Sequence, residues 1–391
     1  MNIKTIILSL FITSPLMAQT TVEEVLQKVE QNNTTLKAIR EEGKAQKLGN
    51  RTGIYLPGPE VSFNYLWGSP KDIGKRKDFS ASQTFDFATL AGIKSKTAKE
   101  KNKLVDFQYE TDRMTLLLQT KQICMDLIYY NTMKAETEKR LENAREMSEA
   151  YKKSMTDGNS NMLDYNKARL SMSTIEGELD RILVERDALL AELRRLNGGL
   201  DIRFDKNTYS SISLPENFEQ WLTEAEQKNP TLSLARQQIS VSKREVKLSR
   251  AEGLPSLSAG YMMEKTMGEK FQGITLGISI PLWENKNKVK QAKATVRAAE
   301  SRHADAREQF GQQLRNLYLR TKGLQKTADR HKKTLLELNN KPLLDKALQV
   351  GQINLLDYLV EIGLYYETVN QYIAAERDYQ KAYVELTAFE L

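Results

Sequence analysis

Glu30-Gln31-Asn32-Asn33-Thr34-Thr35-Leu36 returns about 195 residues later as Glu226-Gln227-Lys228-Asn229-Pro230-Thr231-Leu232. Two more landmarks repeat in the same order at nearly the same offset. Leu56-Pro57 returns as Leu254-Pro255, and Gly158 followed by Met162-Leu163-Asp164-Tyr165 returns as Gly351 followed by Leu355-Leu356-Asp357-Tyr358. Ordered recurrence of this kind argues for a duplicated unit. The period far exceeds the ~20–50 residues of solenoid repeats, so each copy is a large structural unit. The expected organisation is a first repeat over residues 19–200, a linker over 201–216 and a second repeat over 217–391, behind a leader at 1–18.

Each copy reads as helix, strand pair, long helix, glycine break, helix. In the first, a helix is expected from Val22 to Leu48, closed off by Pro57 and Pro59 because proline removes a donor and clashes with a helical turn. Val61, Phe63, Tyr65 and Trp67 then alternate with Ser62 and Asn64, the period of two that marks a strand. After a turn over Gly68–Asp78, a second strand puts Phe79, Ala81, Phe85 and Phe87 on one face and Ser80, Ser82, Thr84 and Asp86 on the other. In the second copy, Leu257, Ala259, Tyr261 and Met263 alternate with Ser258 and Gly260. Beyond a turn at Glu264–Gly273, Ile274, Leu276, Ile278, Ile280 and Leu282 alternate with Thr275, Gly277 and Ser279.

The helices that follow are long. No proline occurs from Ala91 to Thr156, where Met114, Leu118, Met125, Tyr129 and Met133 recur at helical steps. Its counterpart runs from Lys288 to Asn340, carries Phe310, Leu314, Leu317 and Leu324 on one face, and is expected to kink or break at Pro342. The returning helices carry heptad seams, Ile175, Leu179, Ile182, Leu189, Leu193 and Leu196 in one and Leu355, Leu359, Ile362, Tyr366, Val369 and Ile373 in the other. Such seams wind helices around one another. Gly158 and Gly351 fall between outgoing and returning helices, where a hairpin reverses and positive φ costs glycine little.

The fold class is therefore mainly α, with long coiled-coil hairpins and four strands per chain. The strands have about the 9–11 residues a tilted strand needs to cross a bilayer. Lipid cannot satisfy an open sheet edge, and bacterial membrane barrels start at about eight strands. If these strands enter a membrane, several chains must share one barrel. A soluble sheet packed on the helices is the other reading, and alternation alone does not separate the two.

Composition narrows the class. Lys+Arg 58 against Asp+Glu 51 gives a formal charge of +7, spread along 391 residues as on solvated helix surfaces, so no nucleic-acid partner is expected. Lys4, the apolar stretch Ile6 to Ile12 and the small-residue site Leu16-Met17-Ala18 read as a secretory signal, too short for a membrane anchor. One cysteine, Cys124, and two histidines, His303 and His331, supply neither a disulfide nor a metal cage. No phosphate loop, nucleophile elbow or histidine-based triad is present, so no catalytic residues and no cofactor are expected and the chain does not read as an enzyme.

The landmarks, together with Leu254-Pro255-Ser256-Leu257, Ile278-Ser279-Ile280-Pro281-Leu282 and Val350-Gly351-Gln352-Ile353-Asn354-Leu355-Leu356-Asp357, resemble the TolC-type outer-membrane efflux protein family over nearly the whole mature chain. The resemblance implies a homotrimer whose chains give four strands each to one 12-stranded barrel in outer-membrane lipid, with a helical tunnel across the periplasm. It implies a passive exit duct that meets a periplasmic adaptor at the hairpin tips and is driven by an inner-membrane pump. The alternative from the residues is a periplasmic coiled-coil adaptor or scaffold without a pore. An adaptor, however, needs one central hairpin flanked by β-rich domains, and here two hairpins stand in tandem.

On that resemblance, Asp357 matches the first of two acidic rings at the tunnel mouth and Asp164 is its echo. Val360 occupies the second ring position, with Glu361 beside it. Gly158, Leu163, Gly351 and Leu356 would be the adaptor-facing tips. Phe63, Tyr65, Trp67, Tyr261, Ile278 and Ile280 would face outward on the membrane barrel. The exported cargo is not written in the chain.

Overall fold

A computed structural model describes residues 20–391; the expected signal at 1–18 lies outside the described residues. The described residues open with helices α1 (Val22–Asn32) and α2 (Thr34–Gly49), strands β1 (Glu60–Trp67) and β2 (Lys75–Phe85), and a short helix α3 (Phe87–Leu90). The long helices α4 (Ile93–Thr156) and α5 (Met162–Leu196) complete the first series. The second series comprises α6 (Phe218–Lys228), α7 (Pro230–Ala251), β3 (Ser256–Thr266), β4 (Glu269–Ser279), α8 (Lys288–Glu337), α9 (Lys341–Gln349) and α10 (Leu355–Leu386). The mainly helical class with four strands is as expected. At 1.5 Å per residue, the 64 residues of α4 make a helix about 96 Å long.

The structure corrects the sequence reading at element ends. The helix expected from Val22 to Leu48 is two helices. Asn33 stops one and caps the next, its side-chain Oδ1 accepting the Leu36 backbone N–H at 2.8 Å. Asn229 does the same for Leu232 at 2.9 Å, with Pro230 in the first helical turn. An asparagine cap satisfies one of the four donors that every helix start leaves open. Both asparagines are buried, where an unmet donor would be costly. Phe87 lies on α3 instead of a strand, because Asp86 caps that helix through the Thr89 backbone N–H at 2.8 Å. Pro342 interrupts the long helix outright: α8 ends at Glu337 and α9 restarts at Lys341.

The described residues form two compact units, each drawing on both halves of the sequence. One comprises the chain up to Asn32, Thr120–Ser211 and Thr327–Gln380. Its core joins Met133 of α4, Ile182 of α5 and Ile373 of α10, with Tyr129, Tyr130, Val369 and Tyr372 packed around them. The heptad seams are the buried stripes: Ile182, Leu193 and Leu196 on α5, and Leu355, Ile362 and Ile373 on α10, are all under 6% exposed. Arg140 of α4 is buried with them. Its Nη1 donates to Asn370 Oδ1 at 2.9 Å and its guanidinium lies 4.4 Å from the Tyr366 ring, and burial lowers its pKa.

The segment read as a linker is strapped onto α4 within this unit. Asn131 Nδ2 donates to the carbonyls of Phe204 and Lys206 at 3.2 and 2.9 Å. Tyr209 donates its hydroxyl to the Met125 carbonyl at 2.9 Å, and Phe204 is 1% exposed.

The other unit comprises Asn33–Gln119, Ile212–Lys326 and Lys381–Leu391. It holds the four strands in one antiparallel sheet, ordered β1-β2-β3-β4. Its helical core is Ala225, Leu314, Leu386 and Phe389, ringed by Trp221, Leu222, Phe310, Leu317 and Tyr318. Trp221 meets Phe389 edge-on at 5.3 Å, which ties the C-terminal turn Ala388–Glu390 to α6. Leu314→Ala is expected to destabilise the purified chain by about 2–5 kcal/mol, the cost of a buried cavity. Thermal unfolding followed by far-UV circular dichroism measures this, and an unshifted midpoint would show that this core does not limit stability.

Candidate functional site: the strand sheet and the hairpin tips

The sheet is two-faced. Pairing Phe63 with Phe79, Val61 with Ala81, Ala81 with Tyr261, and Tyr261 with Ile274 carries one apolar face across all four strands. Phe63, Tyr65 and Trp67 of β1, Tyr261 of β3 and Ile278 of β4 share that face and are exposed. Ile274 and Leu276 are 82% and 80% exposed, far more than a folded chain leaves on residues it can cover. The opposite face is small and polar. Ser62 Oγ lies 2.8 Å from Ser80 Oγ, and a side chain on Gly260 would come within 2.5 Å of the Ala81 carbonyl.

Two strand boundaries differ from the sequence reading. Ile280 stands one residue beyond β4, because Pro281 has no N–H to pair and biases the residue before it. Ile280 is exposed but is not a strand residue. The turns are also tighter. β3 and β4 meet through Met267 and Gly268 alone, both at positive φ (50° and 94°), as a two-residue hairpin needs.

The hairpin tips belong to the first-described unit. Gly158 and Gly351 have φ of 77° and 74°. At the first tip, Asn159 N–H reaches the Ser154 carbonyl at 2.8 Å and Gly158 N–H the Met155 carbonyl at 3.1 Å. Gln352 to Ala347 and Gly351 to Leu348 repeat this at 2.8 and 3.1 Å. Both are Schellman closures, which consume carbonyls left open at a helix end. Leu163 and Leu356 point outward, 63% and 52% exposed, while the neighbouring Leu355 and Tyr358 are buried.

The acidic residues begin the returning helices. Asn354 Oδ1 accepts the Asp357 N–H at 2.9 Å, and Asn354 Nδ2 donates to Asp357 Oδ2 at 2.7 Å. Asn161 and Asp164 make the same pair of bonds at 2.9 Å each. Each carboxylate lies in the first helical turn, where the helix dipole favours negative charge. The two then differ. Asp164 is half-buried and paired with Lys167 at 3.2 Å, whereas Asp357 is exposed and has no ion pair among the described residues. Glu361 is exposed one helical turn beyond Asp357.

A cleft of about 1310 Å³ lies between the two tips, lined by Asn143, Tyr151, Asp164, Lys341, Asp345 and Tyr358 among others. Asp345 joins its wall, accepting from the Tyr358 hydroxyl at 2.8 Å and from Lys341 Nζ at 2.6 Å. Burial, then Asp345, pushes the Tyr358 phenol well above its ordinary range, and burial with the Asp164 charge raises that of Tyr151. The capping role of Asn161 and Asn354 was missed in the sequence. The signal was present as Asn-x-x-Asp three residues after each tip glycine.

Long helical hairpins and a four-stranded antiparallel sheet in one chain are a fold shared with solved outer-membrane channels. A membrane protein from Pseudomonas aeruginosa has a TM-score of 0.75 to this chain at 14% identity, covering 94% of this chain and 92% of that one. The CmeC outer membrane channel of Campylobacter jejuni gives 0.68 at 15% identity over 100% and 93%. The open-state MtrE outer membrane channel of Neisseria gonorrhoeae gives 0.69 at 14% over 95% and 89%. Residues 221–389 match the family described as outer membrane efflux protein, in line with the resemblance read from the sequence. The chain matches no curated protein.

Asn354→Ala is expected to cost about 1 kcal/mol by loss of the cap. Asp357→Asn keeps an acceptor oxygen toward Asn354 and loses only the dipole-favoured charge, so it should cost less, about 0.3 kcal/mol at this exposed site. Equal losses in thermal unfolding would show that the Asp357 charge itself holds the helix start.

Proposed function

We propose that this protein is the outer-membrane channel and periplasmic tunnel of a tripartite exporter. It is a passive exit duct, driven by an inner-membrane pump through a periplasmic adaptor. The observation that carries this reading is the sheet. Its apolar face is exposed across four strands, and its edges β1 and β4 have no partner within the sheet. Three chains would supply 12 strands and pair each β1 with a neighbour's β4, removing every edge as hydrocarbon requires. The small hydroxylated face would line the lumen.

Three features support the helical part of the reading. Beyond the tip, Val360 and Leu364 leave exposed apolar side chains at helical spacing on α10, suited to a neighbouring chain. The outward Leu163 and Leu356 beside Gly158 and Gly351 would meet the adaptor. Asp357, exposed and without an ion pair among the described residues, would form a ring of three carboxylates that draws cations to a constriction. Glu361 lies along the same helix face, and Asp164, neutralised by Lys167, contributes less. We read the chain as two copies of one unit, residues 19–200 and 217–391, joined by the strap at 201–216.

The test is single-channel conductance in a planar bilayer, with oligomer mass measured on the same sample. A trimer with discrete conductance steps is expected; a monomer that never conducts would overturn the channel reading. In the same recordings Asp357→Asn should lower cation selectivity, and unchanged selectivity would remove the ring. Cysteines introduced at Asn159 or Gln352 should crosslink to the adaptor, and capture only from mid-helix positions would refute the tip assignment. Cys124 is fully buried and burial pushes its thiol up to about 12, so it should stay silent in that experiment.

A further inference from the structure

We infer that a row of lysines on the apolar face of the sheet binds the phosphate of a phosphorylated lipid; this rests on the channel reading above. Lys77 of β2 stands opposite Lys265 of β3, and Lys265 stands opposite Lys270 of β4. Three lysines thus stand side by side on adjacent strands, about 4.8 Å apart at the backbone. Lys75, opposite Trp67, lies two residues along on the same face. All four lysines are exposed.

Like charges placed directly opposite each other weaken a sheet, yet among the described residues no carboxylate pairs with this row. The other face at the same level is arranged differently. There Arg76 is held between Asp78 at 2.8 Å and Glu264 at 3.1 Å. The chain neutralises its cation on the polar face and leaves the lysine row open on the apolar one. The Tyr65 ring lies beside it, its centroid 5.9 Å from Lys75 Nζ and 5.5 Å from Lys77 Nζ.

Position fixes the occupant. The row adjoins the Met267–Gly268 turn, at the end of the sheet opposite the strand ends that join α3 and α7. In a membrane barrel that end meets the outer boundary of the lipid, where lysine stems lie along apolar surface and their heads reach the headgroups. Lysine binds phosphate as a point charge. A free phosphate would answer the charge but not the apolar surface beneath it. A lipid whose acyl chains lie on Phe63 and Ile274 answers both.

The experiment reconstitutes the full-length protein into phosphatidylcholine vesicles containing a minor fraction of bis-phosphorylated lipid A or its dephosphorylated form. Lipid retained on the protein is then read by native mass spectrometry. Wild type should retain the phosphorylated form over the dephosphorylated form by at least about tenfold. The triple variant Lys77→Gln, Lys265→Gln, Lys270→Gln should lose that preference, and each single variant should lose part of it. Lys288→Gln, Lys290→Gln, Lys293→Gln, which removes the same charge from α8, should keep it. Insertion without a preference, equal loss in the α8 control, or displacement by inorganic phosphate would each overturn the lipid site and leave the channel standing. A protein that does not enter the vesicles would overturn both.

Discussion

The backbone N–H and C=O groups along the outer edges of β1 and β4 are the constraint on which the rest depends. In water such edges invite uncontrolled pairing, and in hydrocarbon they cannot be satisfied at all. A sheet of four strands is too small to curl round and meet itself. Every other feature of that unit is compatible with a sheet completed by other copies: an apolar face with nothing over it, a polar face kept small by Ser62, Ser80, Gly260 and Gly277, and turns too short to fold back over either. The separate helical core around Leu314 and Phe389 leaves the sheet's apolar face uncovered, as a face turned toward lipid would be.

The helical part follows a second economy. Its long helices are held by narrow seams, so much of each helix surface stays exposed. Stability then depends heavily on how the helices begin and end. Buried asparagines at 33 and 229, the asparagine–aspartate pairs at 161/164 and 354/357, and the paired Schellman closures each satisfy backbone groups that a thin bundle could not shelter.

Much of this was legible in the sequence because the relevant signals are periodic. Alternation marked all four strands, heptads marked the buried stripes of α5 and α10, and isolated glycines marked the reversals. What was not legible depends on single hydrogen bonds. Asn33 interrupts no hydrophobic period, so one helix was read where there are two. Its echo Asn229-Pro230 carried the clearer sign, since proline prefers a first helical turn. Asp86 ended a strand two residues earlier than alternation suggested, because capping α3 outweighed continuing the pattern. Residues 201–216 lack any period and read as a linker; the Asn131 fork that pins them to α4 comes from about 70 positions earlier in the chain. The acidic residues near the tips were visible as residues. Which of them is neutralised locally was decided by Lys167, three positions after Asp164, for which the second copy has no equivalent.

The two hairpins are not mechanically alike. α4 continues unbroken to its tip, whereas α8 stops at Glu337 and resumes only at Lys341. A continuous helix resists bending along its whole length, and a jointed one concentrates bending at the break. In a trimer the ring of six hairpins would alternate rigid staves with jointed ones. Its compliance would then be three-fold even though its outline is nearly six-fold. Any widening of the mouth would be taken up at three joints near residue 340, while the three unbroken hairpins hold the circumference.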